Sequence, residues 1–232
     1  MPGAAAAVLT AAGSGQRLGG GTPKALRDLA GEPLLVRAAR TLSAAAGVSL
    51  LVVAAPPAEV AAVRRLLAAA LPAAAVRVVS GGASRQASVA LALADLDADV
   101  DVVLVHDAAR PLVPRELVEQ VLAAVRGGAD AVVPVLPVVD TVKRVSPEGL
   151  VVETVDRSVL RAVQTPQGFR RDVLERAHAA ADPTAPATDD AGLVEALGLP
   201  VTVVPGRDEA MKITRPLDLV VAEALLSAGC GP

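Results

Sequence analysis

The chain has 232 residues, of which 53% are hydrophobic and 20% charged, and a formal net charge of −3. That length fits one large α/β domain, and the composition is globular with an apolar bias. A single Phe (Phe169) and no Tyr or Trp leave neither stacking platforms nor a basic groove. This argues against a nucleic-acid partner, while a small anion still needs only local basic residues.

In chain order, the first apolar run has no basic segment before it and ends in glycines followed by Arg17 and Lys24. It reads as a buried strand over 5–10, not as a signal peptide. Further strands are expected at 50–55, 76–80, 100–106, 131–135 and 201–204. Each is a continuous Val/Leu/Ala run without in–out alternation, the pattern of strands buried on both faces of a mostly parallel sheet. Helices are expected near 33–46, 58–71, 84–96, 115–126, 170–181, 189–197 and 216–228. Pro33 and Pro216 suit first turns, and Ser84 suits an N-cap. Alternating strands and helices imply a doubly wound α/β sheet, whose ligands bind beyond the carboxyl ends of the strands.

Residues 138–156 break the rhythm. Two β-branched runs flank Ser146-Pro147-Glu148-Gly149, which predicts a β-hairpin inserted in the domain. The longest Ala/Leu-rich stretch, 64–72, is too short to span a bilayer. The lone Cys230 allows no internal disulfide and gives no sign of an oxidising compartment. A soluble, cytoplasmic protein without a membrane partner is expected.

Chemistry is concentrated after the strands. The loop 11–24, AAGSGQRLGGGTPK, has glycines that let backbone N–H groups approach an anion, with Arg17 and Lys24 adding charge. It lacks the G-x-G-x-x-G spacing of a dinucleotide site, and the second strand ends in Ala54-Ala55-Pro56-Pro57 without a ribose-binding acid. Nor does it carry Gly-Lys-Ser/Thr. A nucleoside triphosphate suits it better than a plain surface loop does. Next, GGASRQASV at 81–89 places Gly82, Ser84 and Ser88 at a helix start, either to read a base or phosphate or merely to cap the helix. HDAARP at 106–111 puts Asp107 at the exit of an apolar strand. A charge there needs a partner: Mg²⁺, a substrate hydroxyl, or Arg110. His106 reads as a structural hydrogen-bonder, and His178 receives no function.

Together with DTVKRV (140–145), TVDRSVLRAVQTPQGF (154–169), TDDAGLVE (188–195) and MKITRPLDL (211–219), these segments resemble, in this order, the 2-C-methyl-D-erythritol 4-phosphate cytidylyltransferases of the non-mevalonate isoprenoid pathway. The resemblance spans residues 5–226. It implies a Rossmann-like nucleotidyltransferase fold forming one domain, a homodimer interlocked through the arm at 138–156, and dependence on Mg²⁺ or another divalent cation, with ligands it does not assign. Arg17 and Lys24 match the family's transition-state-stabilising pair. Ala11, Ala12, Gly13, Gly82, Ser88 and Lys212 match its CTP contacts. Asp107, Arg110, Thr141, Arg157 and Thr165 match its sugar-phosphate contacts, and Arg157 and Lys212 its phosphate-positioning residues. Thr10 stands where Pro is usual, Ala25 where Gln is, Ala83 and Ser84 where a polar or acidic pair is, and Ala210 where Asn is common.

The reaction implied is transfer of CMP from CTP to 2-C-methyl-D-erythritol 4-phosphate, giving 4-diphosphocytidyl-2-C-methyl-D-erythritol and pyrophosphate. Two alternatives stay open at this stage: a cytidylyltransferase for ribitol 5-phosphate or another polyol phosphate, and a non-catalytic nucleotide-sensing module.

Overall fold

The computed structural model describes residues 3–13, 23–182 and 187–229. Its axis is β1 (Ala4–Thr10), whose run of Ala, Val and Leu is buried on both faces. Alternate residues of this one strand serve two different cores: Ala5, Ala7 and Leu9 face one, and Ala6 and Val8 the other. That is the period-2 geometry of a strand between two helix layers.

The remaining elements follow in order. A small hairpin, β2 (Asp28–Leu29) and β3 (Glu32–Pro33), leads into α1 (Leu34–Ala44). Then come β4 (Val48–Ala55), α2 (Val60–Ala70), β5 (Val76–Ser80), α3 (Arg85–Leu93), β6 (Val100–Asp107), α4 (Arg115–Arg126) and β7 (Ala131–Pro137). The second half contains β8 (Val142–Val145), β9 (Val151–Val155), β10 (Arg161–Val163), β11 (Gln167–Arg170), α5 (Arg171–Ala180), α6 (Asp190–Ala196), β12 (Val201–Pro205) and α7 (Pro216–Ser227).

β5, β4, β1 and β6 are parallel neighbours in that order. β11 then inserts antiparallel between β6 and β7. β10 pairs antiparallel with the far end of β7, and β12 pairs parallel with its other side. The chain reaches β4 from β1 through α1 but places β6 on β1's opposite side, so the sheet order reverses at the β1/β6 boundary. A crevice forms at such a reversal. Helices α1, α2 and α4 cover one face and α3, α5 and α6 the other. α7 packs over Leu29, Leu34, Leu112 and Ile213.

The strands expected from apolar runs are all present. β10 and β11 go beyond that expectation. They lie in RAVQTPQGFR, where Pro166 and Gly168 interrupt any run long enough to read as a strand, and the flanking strands supply the pairing that local propensity does not. β8 and β9 form a separate two-stranded sheet joined by a turn in which the Gly149 N–H donates to the Ser146 carbonyl at 3.0 Å. Val145, Leu150, Val151 and Val152 on this arm are exposed, as are Val139 and Val159 beside it.

The first and third strand-end loops touch. A Cβ placed on Gly81 would lie 2.3 Å from the Ala12 Cβ and 3.1 Å from the Ala55 carbonyl oxygen, whereas one on Gly13 meets nothing within 4 Å. Gly81→Ala should therefore destabilise the protein by about 1–3 kcal/mol, the cost of overpacking. Gly13→Ala should change stability by no more than about 0.5 kcal/mol. Denaturant melts of the two variants compare them directly.

Candidate active site

Four strand ends, those of β1, β4, β5 and β6, meet at the site. β1 and β6 finish level, with Thr10 paired to Asp107. Backbone bonds then hold the exits together: Ala11 N–H to the Ala54 carbonyl, Ala108 N–H to the Thr10 carbonyl, and Gly81 N–H to the Ala55 carbonyl. Beyond them lies a cavity of about 710 Å³ lined by Ala11, Ala12, Gly13, Lys24, Gly82, Ser88, Asp107 and Lys212, together with Thr10 and Arg85. Segments from far apart in sequence thus meet at the crevice of an α/β sheet.

Asp107 is the acidic side chain of this lining, and its carboxylate is held from three directions. Thr10 Oγ1 lies 3.2 Å from Oδ1 and shares its one proton between that oxygen and the equally distant His106 carbonyl, Arg85 Nε donates to Oδ1 at 3.1 Å, and Lys212 Nζ donates to Oδ2 at 2.6 Å. Burial alone would push this carboxyl up. The Arg85 and Lys212 charges and hydrogen bonds outweigh it and hold Asp107 well below the usual carboxylate range. The partner of Asp107 is therefore not Arg110. That guanidinium donates instead to the Ala210 carbonyl at 2.7 Å and the Val163 carbonyl at 3.2 Å. With the Ile213 N–H on the Ala109 carbonyl at 2.8 Å, it straps residues 210–213 to the loop after β6. The strap brings Lys212 to Asp107.

Behind the carboxylate is a buried relay. The Asp107 N–H donates to Thr165 Oγ1 at 3.1 Å, and Thr165 Oγ1 lies 3.0 Å from His106 Nδ1. His106 Nε2 lies 3.1 Å from the Arg110 carbonyl. Because a carbonyl only accepts, Nε2 carries the proton, Nδ1 accepts, and the Thr165 hydroxyl donates to it. Burial pushes the His106 imidazole down to about 4, despite the nearby Asp107 charge. The histidine is neutral and structural, as its place in the sequence suggested.

At the α3 end of the cavity, the Ser84 side chain caps α3, accepting from the Ala87 N–H at 3.0 Å. Ser88 Oγ accepts from the Gly82 N–H at 3.1 Å and donates to the Ser84 carbonyl at 2.8 Å. The loop is thus stiffened internally, and a Cβ on Gly82 would lie 2.6 Å from that of Ala87.

Of the residues singled out in the sequence, Ala11, Ala12, Gly13, Lys24, Gly82, Ser88, Asp107 and Lys212 converge on one cavity. Arg17 lies outside the described residues. Arg110 and Thr165 are buried in the layer behind Asp107. Thr141 and Arg157 are exposed at the arm, where Arg157 Nη1 bonds the Val139 carbonyl, and neither lines this cavity. Sequence reasoning missed Arg85 and Asp190, which meet at 2.6 Å. The available signal was the charge each places inside a motif already singled out: Arg85 is the one charged residue of GGASRQASV, and Asp190 is the second of the two adjacent acids of TDDAGLVE. Among the described residues no group of three His, Cys, Asp or Glu side chains is placed to hold a metal ion, and no helix is long and apolar enough to cross a membrane.

Comparison with known proteins agrees with this geometry. The family model described as 2-C-methyl-D-erythritol 4-phosphate cytidylyltransferase matches residues 5–228. A protein of that name from Frankia casuarinae is 60% identical over 227 residues, covering 98% of this chain and 82% of its own. Among solved structures, 2-C-methyl-D-erythritol 4-phosphate cytidylyltransferase from Thermus thermophilus superposes with a TM-score of 0.76 at 41% identity, covering 95% of this chain and 98% of its own. The 4-diphosphocytidyl-2C-methyl-D-erythritol synthase of Anaerococcus prevotii gives a TM-score of 0.84 at 27% identity, with 97% and 96% covered.

The neutral His106 sets a pH dependence of stability. Its folded value near 4 lies below the unfolded value of about 6.5. Between these values the unfolded chain binds the extra proton, so stability rises with pH through that window and is lost as pH falls from about 6.5 to 4. The loss approaches about 3 kcal/mol at the lower end. Asp107, shifted down, adds its own loss only below about pH 4. Denaturant melts between pH 7 and 4 should show a shallower slope in His106→Gln than in the parent; equal slopes would remove His106 as the cause.

Proposed function

This chain belongs to the 2-C-methyl-D-erythritol 4-phosphate cytidylyltransferase family, and from that premise we propose how its cavity transfers CMP from CTP to 2-C-methyl-D-erythritol 4-phosphate with release of pyrophosphate. The observation that carries the reading is the convergence of Lys24, Lys212 and the 11–13 backbone on one cavity at the β1/β6 crevice, with Asp107 bonded to Lys212 at 2.6 Å.

The nucleophile is the phosphate monoester of the substrate. Its second pKa of about 6 makes it largely dianionic at pH 7, so the reaction needs no protein base, in keeping with a neutral, buried His106. The barrier is electrostatic, because an anion attacks the α-phosphorus of a polyanion. Catalysis then consists of placement and charge neutralisation. Arg17 and Lys24 supply positive charge at the glycine loop and Lys212 supplies it from the 210–213 strap, while pyrophosphate departs in line. The Ala11, Ala12, Gly13 and Gly82 backbone with Ser88 makes a small pocket suited to a pyrimidine.

A divalent cation fits this chemistry as a companion of the nucleotide. Mg²⁺ takes phosphate oxygens and water and needs at most one or two carboxylates. If such an ion accompanies the triphosphate, it would neutralise part of the phosphate charge, and Asp107 is the cavity carboxylate within reach to share in holding it. The reading also places the enzyme in the cytoplasm, where nucleoside triphosphates are supplied.

For the sugar phosphate, Asp107 offers an acceptor for a hydroxyl, Arg110 and Thr165 fix the strand end behind it, and Thr141 and Arg157 act from the arm. A hairpin by itself is marginal in water, and this one exposes Val145, Leu150, Val151 and Val152. We assign it to a two-fold dimer, in which the same patch serves both subunits and carries Thr141 and Arg157 to the partner's cavity.

Pyrophosphate release with CTP, measured across a panel of polyol phosphates, tests the function. Turnover should be highest with 2-C-methyl-D-erythritol 4-phosphate; faster turnover of ribitol 5-phosphate would overturn the substrate assignment. CTP should exceed ATP and GTP by several orders of magnitude, as a pocket reading a specific base edge allows. Lys24→Ala and Lys212→Ala should each lower kcat by on the order of 10²–10³ with the fold intact. Replacing residues 139–153 by a short Gly/Ser linker should give a monomer in light scattering that binds CTP but no longer turns over. A deletion that stays dimeric, or one that is monomeric and fully active, would refute the role given to the arm.

A further inference from the structure

Asp107 has two cationic partners of different character. The Lys212 side chain is 41% exposed, while Arg85 is 27% exposed and reaches past Asp107 to Asp190, which is 1% exposed. Arg85 Nε donates to Asp107 Oδ1 at 3.1 Å and Nη1 to Asp190 Oδ2 at 2.6 Å. The other oxygen of Asp190 lies 2.9 Å from His178 Nε2 on α5. The guanidinium is thereby fixed between two carboxylates from the β6 exit and the start of α6, and through Asp190 to a third element. A planar fork is suited to this bridging, and a lysine ammonium is not.

The proposed transfer requires Lys212 to meet phosphate, yet here it is bonded to Asp107. If Lys212 were the only cation, its departure would strand a buried carboxylate, a costly state. With Arg85 and the Thr10 hydroxyl still on Oδ1, Asp107 stays charged and aimed while Oδ2 becomes an open acceptor. Resting on the functional reading above, we propose that Arg85 is a positioning residue for cytidylyl transfer: anchored by Asp190, it holds Asp107 in place so that Lys212 can exchange from Asp107 to the phosphates and Oδ2 can receive a hydroxyl of the sugar phosphate. Lys212 is the exchangeable counter-ion and Arg85 the fixed one.

The test is a set of variants assayed for KM and kcat with each substrate and for thermal midpoint: Arg85→Met, Arg85→Lys, Arg85→Met with Asp190→Leu, and Asp107→Asn. Arg85→Met alone leaves the buried Asp190 without its guanidinium and Asp107 with Lys212 as its one remaining cation, and can fail to fold. The double variant removes the second carboxylate and keeps the question answerable. In the double variant kcat/KM for 2-C-methyl-D-erythritol 4-phosphate should fall on the order of 10- to 100-fold, the worth of one charge-assisted hydrogen bond. KM for CTP should stay within about threefold, since the effect falls on the second substrate. Arg85→Lys, which keeps the charge, should recover part of the activity. Wild-type turnover in a folded double variant would make Arg85 a structural ion pair only and overturn the inference. So would a loss spread equally over both substrates. Asp107→Asn separates the two levels. If it impairs turnover while the Arg85 variants do not, only the role of Arg85 fails. If it leaves turnover unchanged, the reading of Asp107 fails and this inference falls with it.

Discussion

A carboxylate at the exit of a buried strand must find its cations elsewhere in the chain, and the groups that hold Asp107 come from places far apart in sequence. Thr10 ends β1, Arg85 opens α3, and Lys212 arrives on the strap after β12. Satisfying that one charge fixes the end of β1 against β6, closes the α3 loop over the crevice and anchors the carboxy-terminal strap. An isolated buried ion would cost more free energy than a domain has to spare, so its pairing constrains everything around it. The neutral His106–Thr165 relay lies directly beneath and fixes the Asp107 backbone. The charge that lines the cavity and the one that organises its walls are the same.

The fold was legible because its signal is redundant. The strands β1, β4, β6 and β7 lie between two helix layers, so they show as unbroken Val/Leu/Ala runs, and the helices between them follow as a matter of spacing. What escaped was the short β2–β3 hairpin and, inside the main sheet, β10 and β11. Gln167–Arg170 is four residues long and holds a glycine; its strand character exists only because Val105 to Val102 and Val132 to Ala131 stand ready on either side. No local pattern announces a strand that its neighbours create.

The site divides in the same way. Backbone-lined positions such as Gly13 and Gly82 and charges in the glycine loop and the strap are legible from motif chemistry and family resemblance. Arg85 and Asp190 are not, because each stands in the first turn of a helix where a charge reads as an ordinary solvated end. Only tertiary structure reveals that the two meet, 105 positions apart, with the Asp190 side chain 1% exposed. Arg110 illustrates the converse. Its neighbourhood in sequence suggested a salt bridge to Asp107, but its guanidinium directs its donors to two carbonyls of distant segments.

The meeting of Gly81 with Ala12 has a further consequence. The loop after β1 and the loop after β5 share a wall one methyl group thick, so neither can drift in sequence independently of the other. A bulkier side chain at position 12 would have to be matched by a retreat of the β5–α3 connection, which in turn carries Gly82, Ser88 and Arg85. Position 81 has no side chain left to shorten in compensation. The two loops are thus inherited as a single unit: under the function proposed here, one could not be re-engineered for a larger base without re-engineering the other.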